Sequence, residues 1–249
     1  MKLKETLLNT VEIENQPRKI NGYHVHGSDD NNDHDTIGDN HAATSIETPM
    51  REDAFKISDD AKVAIIEKHF EKIMNTLGLD LTDDSLKGTP HRVAKMYVRE
   101  IFHGLKPENK PRISVFDNKF KYGEMLVEKN IQVTSTCEHH FLPVMGKAHV
   151  AYISSGKVIG LSKLNRIVDY FARRPQVQER MTVQIAAMLK EVLNTEDVAV
   201  LIDAKHYCVA CRGIQDESST TITSEYGGKF KDPKVKEEFL RYVNMELKI

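Results

Sequence analysis

The chain has 249 residues, 40% hydrophobic and 29% charged, with 35 Lys/Arg against 37 Asp/Glu and a formal net charge of −2. That is enough chain for a sizeable core, and the near-neutral balance excludes a global basic field that would hold nucleic acid or an anionic membrane. No apolar run approaches the roughly 18 residues of a spanning helix and Met1–Thr10 lacks the apolar stretch of an export signal, so the three cysteines read as thiols in a reducing cytoplasm.

Charge is unevenly spread. Residues 1–50 hold four Lys/Arg against nine Asp/Glu, one aromatic (Tyr23) and the polar run Gly27–Asp35. Such a segment buries too little apolar surface to offset ordering, so it is expected to be a flexible acidic tail. Its four histidines, His24, His26, His34 and His41, are expected to be solvated rather than metal-binding. A chain starting near Arg51 is expected to keep assembly and catalysis, with 51–249 forming the catalytic domain.

Order is expected from about Ser58. Val63, Ile66, Phe70, Ile73 and Leu77 form one stripe of an amphipathic helix, with Gly78 placed for a C-terminal cap. A second helix is predicted from Thr89-Pro90, with Thr89 as cap and Val93, Tyr97 and Ile101 on one face, stopping at Gly104. The period then changes. Met125–Ser135 and Lys147–Ile153 are predicted strands. Two helices follow, one from a Ser162 cap to about Ala172, the other opening at Pro175 with Met181, Ile185, Met188 and Val192 on its face. Val198–Asp203 and Ser218–Ser224 are predicted strands, and Asp232-Pro233 caps a last helix carrying Val235, Phe239 and Val243. The central order is β-β-α-α-β-β in an α+β chain.

Chemistry concentrates in two segments. Thr136-Cys137-Glu138-His139-His140-Phe141 holds a Cys-x-x-His pair, and Lys205-His206-Tyr207-Cys208-Val209-Ala210-Cys211-Arg212 holds the other two cysteines. Thiolate and imidazole are preferred zinc ligands. A closed structural site on Cys137, His140, Cys208 and Cys211 competes with an open catalytic site on three of them, and with plain buried thiols. If 206–211 is extended, Cys211 points away from Cys208, which favours the open site. His139 and His206 add proton-transfer groups that a structural site does not need.

Leu161-Ser162-Lys163-Leu164-Asn165-Arg166 places two cations in the first turns of a helix, against its dipole. An anion at that N-terminus would explain them; solvated surface charge is the alternative. Arg212 offers a bidentate phosphate contact. Glu179, in Arg174-Pro-Gln-Val-Gln-Glu-Arg180, is either ordinary capping chemistry or an acceptor for the N1–H and N2–H₂ donors of guanine.

Four motifs in this order resemble the GTP cyclohydrolase I family over about 55–249: Cys137-Glu-His-His-Phe-Leu-Pro143, Gly160-Leu-Ser-Lys-Leu-Asn-Arg166, Arg174-Pro-Gln-Val-Gln-Glu-Arg180, and His206-Tyr-Cys-Val209 with Arg212-Gly213. The resemblance implies the tunnelling fold, built on a β-β-α-α-β-β unit, and toroidal homodecamers of two pentamers with sites between subunits. It implies Zn2+ on Cys137, His140 and Cys208 with Cys211 a non-ligand, and His139, His206 and Ser162 as catalytic. It implies Glu179 as guanine anchor with Gln178 beside it, and Lys163, Arg166, Arg212 and Arg92 toward sugar and triphosphate. The implied reaction is GTP plus water to 7,8-dihydroneopterin triphosphate and formate, the first step of tetrahydrofolate and pteridine biosynthesis. A relative on the same fold that makes formate from GTP but stops early, another zinc-dependent purine hydrolase, and a structural-zinc protein that binds nucleotides or partners without turnover are the alternatives.

Overall fold

The computed structural model describes residues 45–246. Most of the acidic segment, with its four histidines, lies outside the described residues. The described chain is mixed α+β. Helix α1 (Asp59–Thr76) and α2 (Thr89–Met96) lead through a π-turn (Tyr97–Ile101) to a short strand β1 (Val115–Asp117). Then come β2 (Met125–Cys137), β3 (Pro143–Ile153), β4 (Lys157–Ile159), α3 (Leu161–Ala172), β5 (Pro175–Gln176), α4 (Gln178–Leu193), β6 (Val198–His206), a single-turn helix α5 (Tyr207–Ala210), β7 (Thr221–Tyr226) and α6 (Pro233–Asn244). No helix among the described residues is long and apolar enough to cross a membrane.

The main sheet has the order β5-β2-β3-β6-β7, antiparallel except for the β2–β5 pair. Its central strands are apolar on both sides, and each side has its own cover. Ala148, Val150, Tyr152, Val200 and Ile202 pack with Leu164, Ile167, Met181, Ile185 and Leu189 of α3 and α4. Ala151, Ile153, Ala199 and Leu201, at the alternate positions, pack with Phe230 and Phe239 under α6. β2 bulges between Glu128 and Ile131, where Asn130 takes φ 61°. Extra backbone there shifts the register while keeping apolar side chains inward.

The helical region forms a smaller cluster of Val63, Ala94 and Val98, with Ile66 against it. Ser58 caps α1, and Gly78 at φ 83° closes it: its N–H reaches Asn75 O and the next N–H reaches Met74 O. The C-terminal part of the predicted α1 stripe, Ile73 and Leu77, is exposed among the described residues. Gly104 joins this region to the C-terminal end of α3: its N–H donates to Arg173 O at 3.0 Å, and a Cβ there would meet Tyr170 O at 2.1 Å.

Three helix starts differ from expectation. Gly88, not Thr89, is the cap residue of α2. Gly160 is that of α3, so Ser162 lies inside the first turn and makes no cap bond. Pro175 does not open α4; Pro175–Gln176 pairs alongside Thr136–Cys137 as β5, and the helix starts at Gln178. Proline's fixed φ suits a strand edge as well as a helix start, and the free edge of β2 offers the partner.

The first described residues run against α4. Ser45 O accepts from Arg180 Nε at 3.0 Å, and Ile46 O accepts from Gln184 Nε2 at 2.7 Å. Arg180 and Gln184 are both buried, and each buried donor left unpaired costs about 1–3 kcal/mol. A chain starting at Arg51 is therefore expected to melt at least about 5 °C below one starting at Ala42, read by calorimetry. Equal melting temperatures would show that water replaces both acceptors without cost.

Candidate active site

The site grows from the end of β2. The backbone leaves the sheet at Cys137 and returns at Leu142, closed by Cys137 N–H to Leu142 O at 2.9 Å and Phe141 N–H to Cys137 O at 2.8 Å. Between them stand Glu138, His139 and His140. Phe141 takes φ 55°, uncommon for a bulky residue. Its ring packs edge-on to Tyr97 and Phe102, with centroids at 6.4 and 5.4 Å, so aromatic contact holds the turn. Glu138 N–H donates to Gln176 O at 3.1 Å. The Glu138 carboxylate receives Arg180 Nη1 at 2.5 Å and Nη2 at 3.3 Å.

Across the sheet, β6 ends beside the turn, with His206 opposite Val144. The chain then makes one helical turn, so the condition of an extended 206–211 segment, on which the strand-parity argument depended, is not met. Cys208 on that turn meets the β2–β3 loop. The ligand atoms of Cys137, His140 and Cys208 all lie within 4.8 Å of one another. Cys137 is buried, Cys208 half-buried and His140 exposed. Cys211 is outside this group for a reason other than strand parity: it is exposed, and its thiol donates to Tyr207 O at 2.7 Å.

The donor set fits a thiophilic cation. Burial, with the neighbouring Cys137 thiol, pushes the Cys208 thiol up to about 11. A cation beside Cys208 would offset the charge of its thiolate. Cys137, His140 and Cys208 could together hold a metal ion.

Two further imidazoles lie within two residues of this group in the chain. His139 Nδ1 is 3.7 Å from Cys137 Sγ. His206 Nε2 is 2.8 Å from Gln178 Oε1. Burial holds the His206 imidazole below its ordinary value, and the nearby Glu179 carboxylate opposes that shift. Glu179 is exposed at the first turn of α4. Arg212 Nη1 contacts His140 Nε2.

The remaining predicted residues stand elsewhere in the chain. Lys157–Ile159 precedes α3 near the Met125–Ile153 end of the sheet, whereas Ala172 leads into Pro175 beside Thr136. α3 thus runs the length of the layer, about 18 Å for its 12 residues. Ser162, Lys163 and Arg166 sit in its N-terminal half, at the end opposite Cys137. Ser162 and Arg166 are exposed. A cleft of about 980 Å³ opens at this end, lined by Phe116, Tyr122, Lys157, Gly160 and Leu161 among others. Arg92 turns back on its own loop, donating to Thr89 Oγ1 at 2.9 Å and Ser85 O at 3.2 Å. Sequence reasoning gave no role to Glu138 and Arg180. Each lies inside a quoted motif, and the one available signal was an Arg180–Gln184 pair of long polar side chains one turn apart on a helix otherwise rich in buried residues.

A match to the family described as GTP cyclohydrolase I spans residues 66–244. A protein of Flavobacterium johnsoniae named GTP cyclohydrolase 1 is 64% identical over 212 residues, covering 85% of this chain and 95% of its own. Proteins of the same name from Aeromonas salmonicida and Vibrio parahaemolyticus are 55% and 57% identical over 199 and 196 residues. They cover 80% and 78% of this chain, and 90% and 89% of their own lengths. The chain belongs to the GTP cyclohydrolase I family, and it is an enzyme with GTP cyclohydrolase activity.

The two cysteines of the second segment are expected to behave differently. Cys208→Ser loses bound zinc and activity, while Cys211→Ser retains about one zinc per subunit and most of its activity, as a three-ligand site requires. Metal analysis of the purified variants decides this, and loss of zinc from Cys211→Ser would restore the closed four-ligand site.

Proposed function

We propose that this member of the GTP cyclohydrolase I family converts GTP and water to 7,8-dihydroneopterin triphosphate and formate in the cytoplasm, at zinc sites completed between subunits of a homodecamer. The observation that carries this reading is the Cys137/His140/Cys208 group with His139, His206 and Glu179 around it. Zinc held there supplies Lewis acidity and an activated water.

The chain's own groups supply the rest. Opening the imidazole ring of guanine requires a proton at N7 as C8 becomes tetrahedral, and His206 delivers it. His139, beside Cys137, assists proton transfer during ring opening and loss of formate. Glu179 accepts from N1–H and N2–H₂ of the base, which excludes adenine. Ser162 moves protons on the opened ribose during rearrangement and ring closure. Lys163, Arg166, Arg212 and Arg92 balance the triphosphate charge.

The separation of Ser162, Lys163 and Arg166 from Cys137 by the length of α3 supports a shared site, since these groups reach one GTP most directly when adjacent chains contribute opposite ends. The exposure of Ile73 and Leu77 on α1 among the described residues supports association of chains. The strand and helix order β2-β3-α3-α4-β6-β7 supports the tunnelling fold.

Purified protein incubated with GTP is expected to release formate and, after oxidation, to give neopterin fluorescence; ATP is expected to give neither. Formate without neopterin would indicate a reaction that stops at ring opening. His206→Ala and Lys163→Ala chains, each inactive alone, are expected to recover activity when co-assembled. No recovery would place the whole site within one chain.

A further inference from the structure

Gln178 is employed by the protein itself. It is 2% exposed, and both ends of its amide have protein partners. The nitrogen lies 2.8 Å from Thr221 O and 3.1 Å from both Ile202 O and Thr223 Oγ1. The oxygen lies 2.8 Å from His206 Nε2. One amide orientation satisfies this set. Turned over, the amide oxygen would face two carbonyl oxygens, neither of which has a proton to give.

The hydroxyls impose the same sense independently. Thr182 Oγ1 donates to the main-chain oxygen of Gln178 at 2.8 Å, which uses its single proton. In its 2.6 Å contact with Thr223 Oγ1, Thr223 is therefore the donor. Thr223 Oγ1 is then left as an acceptor toward Gln178 Nε2. The amide oxygen must face the imidazole, and a ring nitrogen opposite an acceptor must carry hydrogen.

We propose that Gln178 is a positioning residue that holds His206 as the Nε2–H tautomer and leaves Nδ1 as the nitrogen that faces substrate. The inference rests on the reading of His206 as the group that moves a proton to the purine ring. Among the described residues no protein group hydrogen-bonds Nδ1. The consequence is directional. Protons enter and leave His206 at Nδ1, while Nε2–H stays with Gln178 and fixes the ring plane. A direct guanine contact would instead need a polar atom of Gln178 released from the protein.

The test uses full-length chain labelled with ¹³C,¹⁵N-histidine and magic-angle-spinning NMR, with the His206 signals assigned by their loss in His206→Asn. The unmodified chain should show His206 protonated at Nε2. Gln178→Met should release the ring into a tautomer mixture. It should lower kcat for formate release about 100-fold while the KM for GTP stays within about threefold. Gln178→Glu, which can still accept from Nε2–H, should keep the tautomer even where losing its bonds to the Ile202 and Thr221 carbonyls lowers the melting temperature. His206 protonated at Nδ1 in the unmodified chain would overturn the proposal. So would a Gln178→Met variant with unchanged tautomer and a GTP KM raised in step with its loss of kcat/KM, which would make Gln178 a base contact. A chain that shows the Nε2–H ring and makes no formate from GTP would uphold the tautomer assignment and overturn the reading of the reaction.

Discussion

The arrangement of the site depends on one buried charge. The Arg180 side chain is 3% exposed, and its guanidinium is bonded to both Glu138 oxygens and to Ser45 O. A cation this far from water must be fully partnered, because a missing partner costs several kcal/mol. Each partner is thereby constrained. Glu138 stands between Cys137 and His139, so its carboxylate sets how the turn leaves the sheet. A well-packed apolar pair could match the ion pair in net stability. What the ion pair adds is direction, since a bidentate contact between planar groups admits one geometry.

A second constraint works from the outer side of the same turn. Phe141 is held in a left-handed conformation against Tyr97 and Phe102. The helical region is in turn attached to the end of α3 through Gly104. The loop with His139 and His140 is therefore gripped between α4 and the π-turn. It can expose both imidazoles and still hold them in place.

Much of this was legible in the residues. Runs rich in β-prone apolar residues marked β2, β3 and β6, and they are near-continuous in β3 and β6 because both faces of the sheet are covered. Asp232-Pro233 marked α6 because both cap bonds form within three residues, to the N–H groups of Lys234 and Val235. The Cys/His set was legible because its donors cluster in two short motifs. What was hidden involved partners distant in sequence. Pro175 reads as a helix start until the edge of β2 claims it. Glu138 and Arg180 are 42 residues apart, and each has an unremarkable local explanation. Gln178 looks like a ligand-facing neighbour of Glu179 until Ile202, Thr221 and Thr223 are seen to surround its amide. The distance between Ser162 and Cys137 follows only from the direction in which α3 crosses the layer.

The origin of the three candidate metal ligands also bears on how the group is assembled during folding. Cys137 and His140 share a hairpin turn, a local structure that forms on the microsecond scale. Cys208 reaches them only after two helices have been laid across the sheet and β6 has paired with β3, a contact of high sequence separation that forms slowly. A folding chain therefore brings two of the three donors together first, fewer than a metal ion needs to be held firmly. The complete set of three arrives with the last central strand. A chain misfolded at the β3–β6 step would leave Cys208 apart from Cys137 and His140, with the group of three never assembled.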